Sequence, residues 1–205
     1  YVIYLSEKRI ITGYPDGSFK PQEGLTRAQA ATVIAKAANL SLDQSAESPF
    51  KDLSTEHWAR PYIAAAVKAG YINGFPDGSF QPDQPLSRAQ AISLILRLSK
   101  QPQTASLPIL KDINNQHWAA SAVAVGLASG MTGLSADGQY YLPDAPFSRI
   151  NMAHALGILL THEPDLSTTS LPGKLKPNQG KVTVIKAGSQ IESELNAETI
   201  VNQGD

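Results

Sequence analysis

Three arginines, Arg27, Arg88 and Arg149, each follow a Thr or a Ser and stand 61 positions apart in both intervals, 27 to 88 and 88 to 149. Thr26 has Gln29 three positions on, and Ser87 has Gln90; hydroxyl and amide at that spacing form the capping box that opens a helix. Ser148 with Asn151 is a shorter version. A helix start carries amides without helical partners and the positive end of the macrodipole, and an Arg there adds a fixed charge with a donor fork shaped for a carboxylate. Each hydroxyl-Arg pair is therefore a candidate anion seat. On the residues alone, a structural hydrogen-bond network with the loop or with Asp52 and Asp112 is the reading to prefer for the same arginines.

The arginines belong to a longer repeat. GYPDGSFKPQEGLTRAQA, from Gly13, returns as GFPDGSFQPDQPLSRAQA, from Gly74, and a looser copy holds GLSADGQYYLP between Gly133 and Pro143. Upstream, FKDLSTEHWARPYI from Phe50 matches LKDINNQHWAASAV from Leu110. A period of this length is one supersecondary unit. The first repeat's Trp would fall upstream of Tyr1, with Tyr1 and Val2 standing where Tyr62 and Ile63 stand later, so the sequence is expected to enter the first repeat part-way. Each repeat reads as helix, loop, helix. WARPYIAAAVKAG places Trp58, Tyr62, Ile63, Ala66 and Val67 on one helical face, with Pro61 in the first turn and Gly70 as a left-handed cap. INGFPDGSFQPDQP is turn chemistry, and Leu86–Leu98 reads as the second helix. Asp16, Asp77 and Asp137 are expected to set the turns by accepting from local amides; the acidic ladder of a calcium loop is absent. Trp58 and Trp118, at helix starts with spaced apolar residues behind them, read as core anchors in preference to sugar-stacking platforms.

FKDLSTEHWA, GYINGFPDGSFQP and LSRAQ together resemble the S-layer homology motif, with its F-x-D opening, Trp-Ala pair, Gly-rich loop and T-R-A-E signature. The resemblance covers residues 1 to about 161, with Gln29 and Gln90 in place of the signature Glu and SRIN in the third copy. It implies a mainly α, pseudo-threefold domain in which three helix-loop-helix motifs share a central helical bundle. It also implies grooves between motifs that bind secondary cell-wall polymer, commonly a pyruvylated glycan, or another wall component such as peptidoglycan. A ketal carboxylate would suit the Arg seats, and the Gly-rich loop would let backbone approach sugar hydroxyls. The site residues this places at the grooves are Arg27, Arg88, Arg149, Gly74, Asp77, Gly78, Asp52, Trp58, Asp112 and Trp118.

Composition narrows the rest. Hydrophobic residues at 42% and charged residues at 17% describe a folded chain. Lys plus Arg number 17 against 18 Asp plus Glu, which leaves no general basic field for nucleic acid or anionic lipid. No apolar run reaches the roughly 20 residues that span a bilayer, and YVIYLSEKR lacks the order of a signal peptide. With no cysteine, disulfides and thiolate sites are excluded. The four histidines form no H-E-x-x-H, and His57 and His117 occupy equivalent repeat positions suited to helix-start capping. No nucleophile elbow, phosphate loop or dinucleotide fingerprint occurs.

The expected organisation is motif one at 1–40, motif two at 50–99, motif three at 110–161, a linker at 163–180, and a β-forming tail at 181–205 where KVTVIKAG alternates. The function this predicts is a non-catalytic, monomeric wall-anchoring module at a bacterial surface, without cofactor, metal, nucleic acid or membrane insertion. The alternatives are a surface-lattice assembly unit and the anchor of a larger exported enzyme.

Overall fold

The computed structural model describes residues 1–45, 48, 50–99 and 104–162. It divides into two compact units, Tyr1–Thr12 with Lys20–Glu163, and Gly13–Phe19 with Pro164–Asp205. Of the second, only Gly13–Phe19 is described; the expected linker at 163–180 and β tail at 181–205 lie outside the described residues.

Among the described residues there are six helices and no strands, as a mainly α fold requires: α1 (Val2–Glu7), α2 (Arg27–Ala37), α3 (Arg60–Lys68), α4 (Arg88–Leu96), α5 (Ala120–Ala128) and α6 (Arg149–His162). Each repeat contributes a first helix, α1, α3 or α5, and a second, α2, α4 or α6. The second helices begin where the hydroxyl-Arg pairs are. Thr26 accepts from the Gln29 amide while its own amide donates to Gln29 Oε1, and Ser87 and Gln90 do the same. In the third copy the Asn151 amide donates to Ser148 Oγ at 3.3 Å. The first helices end at a left-handed residue: Gly70 at φ +77, Gly130 at φ +75 and, in the first repeat, Arg9 at φ 56.

Three antiparallel bridges, Gly24 with Ser148, Thr26 with Pro85 and Ser87 with Pro146, tie the repeats in a circle. At its centre the Leu86 amide donates to Leu25 O (2.8 Å), Phe147 to Leu86 O (2.8 Å), and Leu25 to Phe147 O (3.0 Å). Their side chains are buried, as are Ile34, Ile95 and Leu156, which recur at the same period about two turns into α2, α4 and α6. The pseudo-threefold symmetry is thus built into the core.

The helices do not pair within a repeat. Instead α2 packs on α3, α4 on α5, and α6 on α1, so each second helix takes the first helix of the next repeat as its partner. Close approach depends on small residues: a Cβ at Gly126 would stand 2.6 Å from Ile92 Cγ1, across the α4–α5 contact.

Leu86 is the point where these effects meet, since it is 1% exposed and belongs to the central ring. Leu86→Ala is expected to cost roughly 2–5 kcal/mol, against about 1 kcal/mol for removing the Ser87 cap as Ser87→Ala. Urea unfolding of the two variants would check that ranking.

Candidate ligand grooves

The loop between the helices of the second repeat is held at two points. At its tip Asp77 Oδ1 accepts from the Ser79 amide (3.0 Å) and hydroxyl (2.6 Å), and Gly78 takes φ +82, which only glycine adopts without strain. At its exit the Asp52 carboxylate accepts from the amides of Phe80 (2.8 Å) and Gln81 (2.7 Å), Gln81 itself lying at φ 55. The third repeat repeats the clamp: Asp112 accepts from Tyr141 and Leu142, the latter at φ 59. Asp16 accepts from Ser18, and Asp137 from Gln139 and Ser135, in the same turn role as Asp77. Gly74 is covered by the Phe50 ring, and an added Cβ would meet that ring and Ser79 O.

These bonds leave a mark on the carboxyls. The Ser79 hydroxyl and amide, with Lys51 Nζ at 3.2 Å, draw Asp77 from its ordinary 3.8 to about 2. Burial raises Asp52, but the two amides outweigh it and hold the group below the usual value. The Ser135 hydroxyl and the Gln139 amide lower Asp137.

The arginines reach across the repeat boundary. Arg27 donates Nε to Phe80 O (2.8 Å) and Nη2 to Asn73 O (2.9 Å), and its guanidinium lies over the rings of Phe75 and Phe80 at 4.6 and 4.7 Å. Arg88 donates Nε to Tyr141 O (2.9 Å) and Nη2 to Gly133 O, over the Tyr141 ring at 4.7 Å. Arg149 donates Nη2 to Thr12 O (2.8 Å). Burial lowers the Arg27 guanidinium below its ordinary value, an effect that Asp52 partly offsets. Of the structural alternatives for these residues, the hydrogen bonds are with the next repeat's loop.

The free amides expected at the helix starts are occupied. Arg27 and Ala28 donate to Gln84 O and Pro82 O, Arg88 and Ala89 to Ala145 O and Pro143 O, and Arg149 and Ile150 to Glu23 O and Pro21 O. With the capping boxes, this satisfies the orphan donors that an anion would have used. What remains for a ligand at Arg27 and Arg88 is the rest of each guanidinium.

Two equivalent cavities lie beside those guanidinium groups. One of about 200 Å3 is lined by Arg88, Met131, Thr132, Gly133, Asn151 and His154. The other, about 160 Å3, is lined by Arg27, Asn73, Gln90, Ser93, Arg97 and Trp118 among others. Arg27, from the first repeat, and Trp118, from the third, thus line one cavity. Asp52, Asp77, Gly74, Gly78, Asp112 and Trp58 do not line either cavity; the two clamps and the turn act one layer behind, by shaping the loops. Sequence reasoning missed Ser93, Arg97 and His154, although Lys36, nine positions after Arg27 as Arg97 is after Arg88, carried the register that would have found Arg97.

The core reading of the tryptophans is corrected. Trp58 is 56% exposed and Trp118 66%. The helices begin two residues later than the pattern implies, at Arg60 and Ala120, so neither ring is in helical register. The inward positions go to Leu53, Ala59 and Ile63, and to Ile113, Ala119 and Val123. His57 and His117 accept the amides of Ala59 and Ala119 at Nδ1 and lie beside the Trp rings, at 5.7 and 5.5 Å between centroids. Among the described residues no group of three acidic or His side chains is placed to hold a metal ion, and no helix is long and apolar enough to cross a membrane.

Residues 1–31 and 49–92 match the S-layer homology domain. These stretches are S-layer homology motifs, and the third repeat, outside that match, completes the ring with them. Within that class the similar proteins are surface proteins. A cellulosome-anchoring protein of Acetivibrio thermocellus is 34% identical over 129 residues, covering 60% of this chain and 29% of that protein. An S-layer protein of Bacillus thuringiensis subsp. finitimus is 36% identical over 136 residues, 63% of this chain and 16% of its own. A Bacillus anthracis protein named as an uncharacterized cell wall amidase is 35% identical over 129 residues, 60% of this chain and 24% of its own. The chain therefore matches under a third of each relative's length, and the family and its relatives place it at the cell surface or cell wall.

Two outcomes follow from the loop chemistry. Asp52→Ala leaves the Phe80 and Gln81 amides without their acceptor and is expected to cost about 1–2 kcal/mol in urea unfolding. Because Asp77 has a folded value of about 2, below its ordinary 3.8, its contribution to stability is fully present above pH 3.8 and is lost as pH falls through about 2. Unfolding measured across that acid window should show a shallower pH dependence in Asp77→Asn than in the parent chain.

Proposed function

We propose that this chain is a non-catalytic anchoring module that binds secondary cell-wall polymer, a pyruvylated glycan in the reading preferred here, through the grooves between its repeats. The observation that carries the proposal is the groove in which Arg27, from the first repeat, Asn73, Gln90 and Ser93, from the second, and Trp118, from the third, line one cavity of about 160 Å3. An exposed indole beside fixed cations and amide and hydroxyl donors is suited to a sugar ring that bears an acid group. In this reading Arg27 and Arg88 act as groove floors: each commits Nε and Nη2 to the next repeat's loop, where Arg88 Nη2 also donates to the Thr132 hydroxyl, and Nη1 is left for the ligand. Arg149 is assigned the same role at the third boundary. Asp52, Asp112, Asp77, Gly74 and Gly78 act through loop shape, and Trp58 offers at the third boundary the platform that Trp118 offers here. The names of the anchoring and S-layer relatives support attachment to the wall, with other domains of a longer protein as the cargo.

The test is calorimetric titration with purified secondary wall polymer, before and after mild acid removal of pyruvate ketals. Saturable binding by the intact polymer is expected, weakened by at least about tenfold once the ketals are removed, a difference of roughly 1.4 kcal/mol. Trp118→Ala, at an exposed position, should fold normally and bind roughly three- to tenfold less tightly. Arg88→Ala should lose the share of binding that the Arg88 groove supplies, with thermal unfolding run beside it because Arg88 also ties two repeats together. Binding to intact peptidoglycan alone would keep the anchor and replace the ligand. If neither binds, and oligomers grow with concentration, a lattice-assembly role takes its place.

A further inference from the structure

The two cavities are equivalent by symmetry but unequal in chemistry. Position 97 of the second repeat is Arg, while the equivalent positions are Lys36 in the first and Ile158 in the third. The groove at Arg27 therefore has a second guanidinium in its lining, while Ile158, at the matching position of the third repeat, is not among the residues that line the groove at Arg88. Arg97 is exposed and donates Nη1 to Tyr71 O at 2.7 Å, committing one of its five N–H donors. No carboxylate lines this cavity.

Ser93 marks the same groove independently. Its Oγ is buried and has no hydrogen-bond partner. The equivalent residues are both satisfied: Thr32 Oγ1 donates to Ala28 O at 2.9 Å, and His154 Nε2 lies 2.8 Å from Gly130 O. A buried hydroxyl left unpaired is destabilising, so its retention calls for a partner in the cavity.

From these observations we infer that the Arg27–Trp118 groove is the charge-selective subsite of the chain: Arg97 takes the anionic substituent of a sugar residue, and Ser93 Oγ bonds one of its hydroxyls. The Arg88 groove, with Ile158 and His154 at the equivalent positions, does not distinguish an acidic sugar from a neutral one to the same degree. The assignment rests on reading the grooves as glycan sites.

The experiment compares Arg97→Gln, Arg97→Lys, Ser93→Ala and His154→Ala in titrations with intact and ketal-free wall polymer. Arg97→Gln is expected to weaken intact polymer by about tenfold or more and to leave the ketal-free polymer unchanged, while Arg97→Lys restores part of the preference. Ser93→Ala should bind both polymers a few-fold less tightly without any fall in thermal stability, a combination that loss of a structural bond would not give. His154→Ala should leave the ratio between the two polymers as it is in the parent. If the parent chain binds and Arg97→Gln keeps its full preference for the intact polymer, the subsite is wrongly assigned and the wall-binding reading stands. If Ser93→Ala binds like the parent, the hydroxyl has no ligand role and the assignment falls with it. If the parent binds neither polymer, both readings fail together.

Discussion

Three backbone hydrogen bonds at the centre of the molecule, running between Leu25, Leu86 and Phe147, join each repeat to both of its neighbours and return to the start. Each is an ordinary amide–carbonyl bond with a net worth of about 1 kcal/mol, so their importance is geometric. They fix the angle at which the second helices leave the centre, and around them the bridges and the buried side chains at the same period fall into register. Once that angle is set, the amides at the start of α2, α4 and α6 meet carbonyls of the next repeat, and each arginine reaches that repeat's loop.

The grooves are a by-product of this closure. A repeat in isolation would have neither a cavity nor a satisfied helix start, because both need the neighbouring loop. The Arg27 groove draws its lining from all three repeats, which makes ligand contact inseparable from correct assembly of the domain. The same architecture permits divergence: the symmetric scaffold holds Arg97, Lys36 and Ile158 at corresponding places, and the side chains there change without disturbing the ring.

Much of this was legible in the residues. The capping boxes at Thr26 and Ser87, the Asp turns and the Gly70 cap are local chemistry, in which side chain and backbone partner lie within a few positions of each other. The pairing of α2 with α3, instead of α1 with α2, was not legible, since periodicity shows that units repeat and is silent on which unit each packs against. The occupied helix-start amides were hidden for a related reason: their acceptors at Gln84, Pro82 and their equivalents are main-chain carbonyls, which carry no side-chain signature. Trp58 and Trp118 misled because a helix that begins two residues later moves a ring from the core to solvent. The capping bond from Ala59 to His57, which precedes that start, was within the reach of pattern reading.

The partner choice of the helices also constrains how the molecule can be made. The bond from Leu25 to Phe147 spans two repeat periods, where the other two ring bonds span one, and doubling a loop adds only about 0.6 kcal/mol to its closure. Order of synthesis weighs more heavily than that entropy. When α1 leaves the ribosome its packing partner, α6, is still more than a hundred residues from being translated, so α1 waits for α6 and the ring closes only once both have been made.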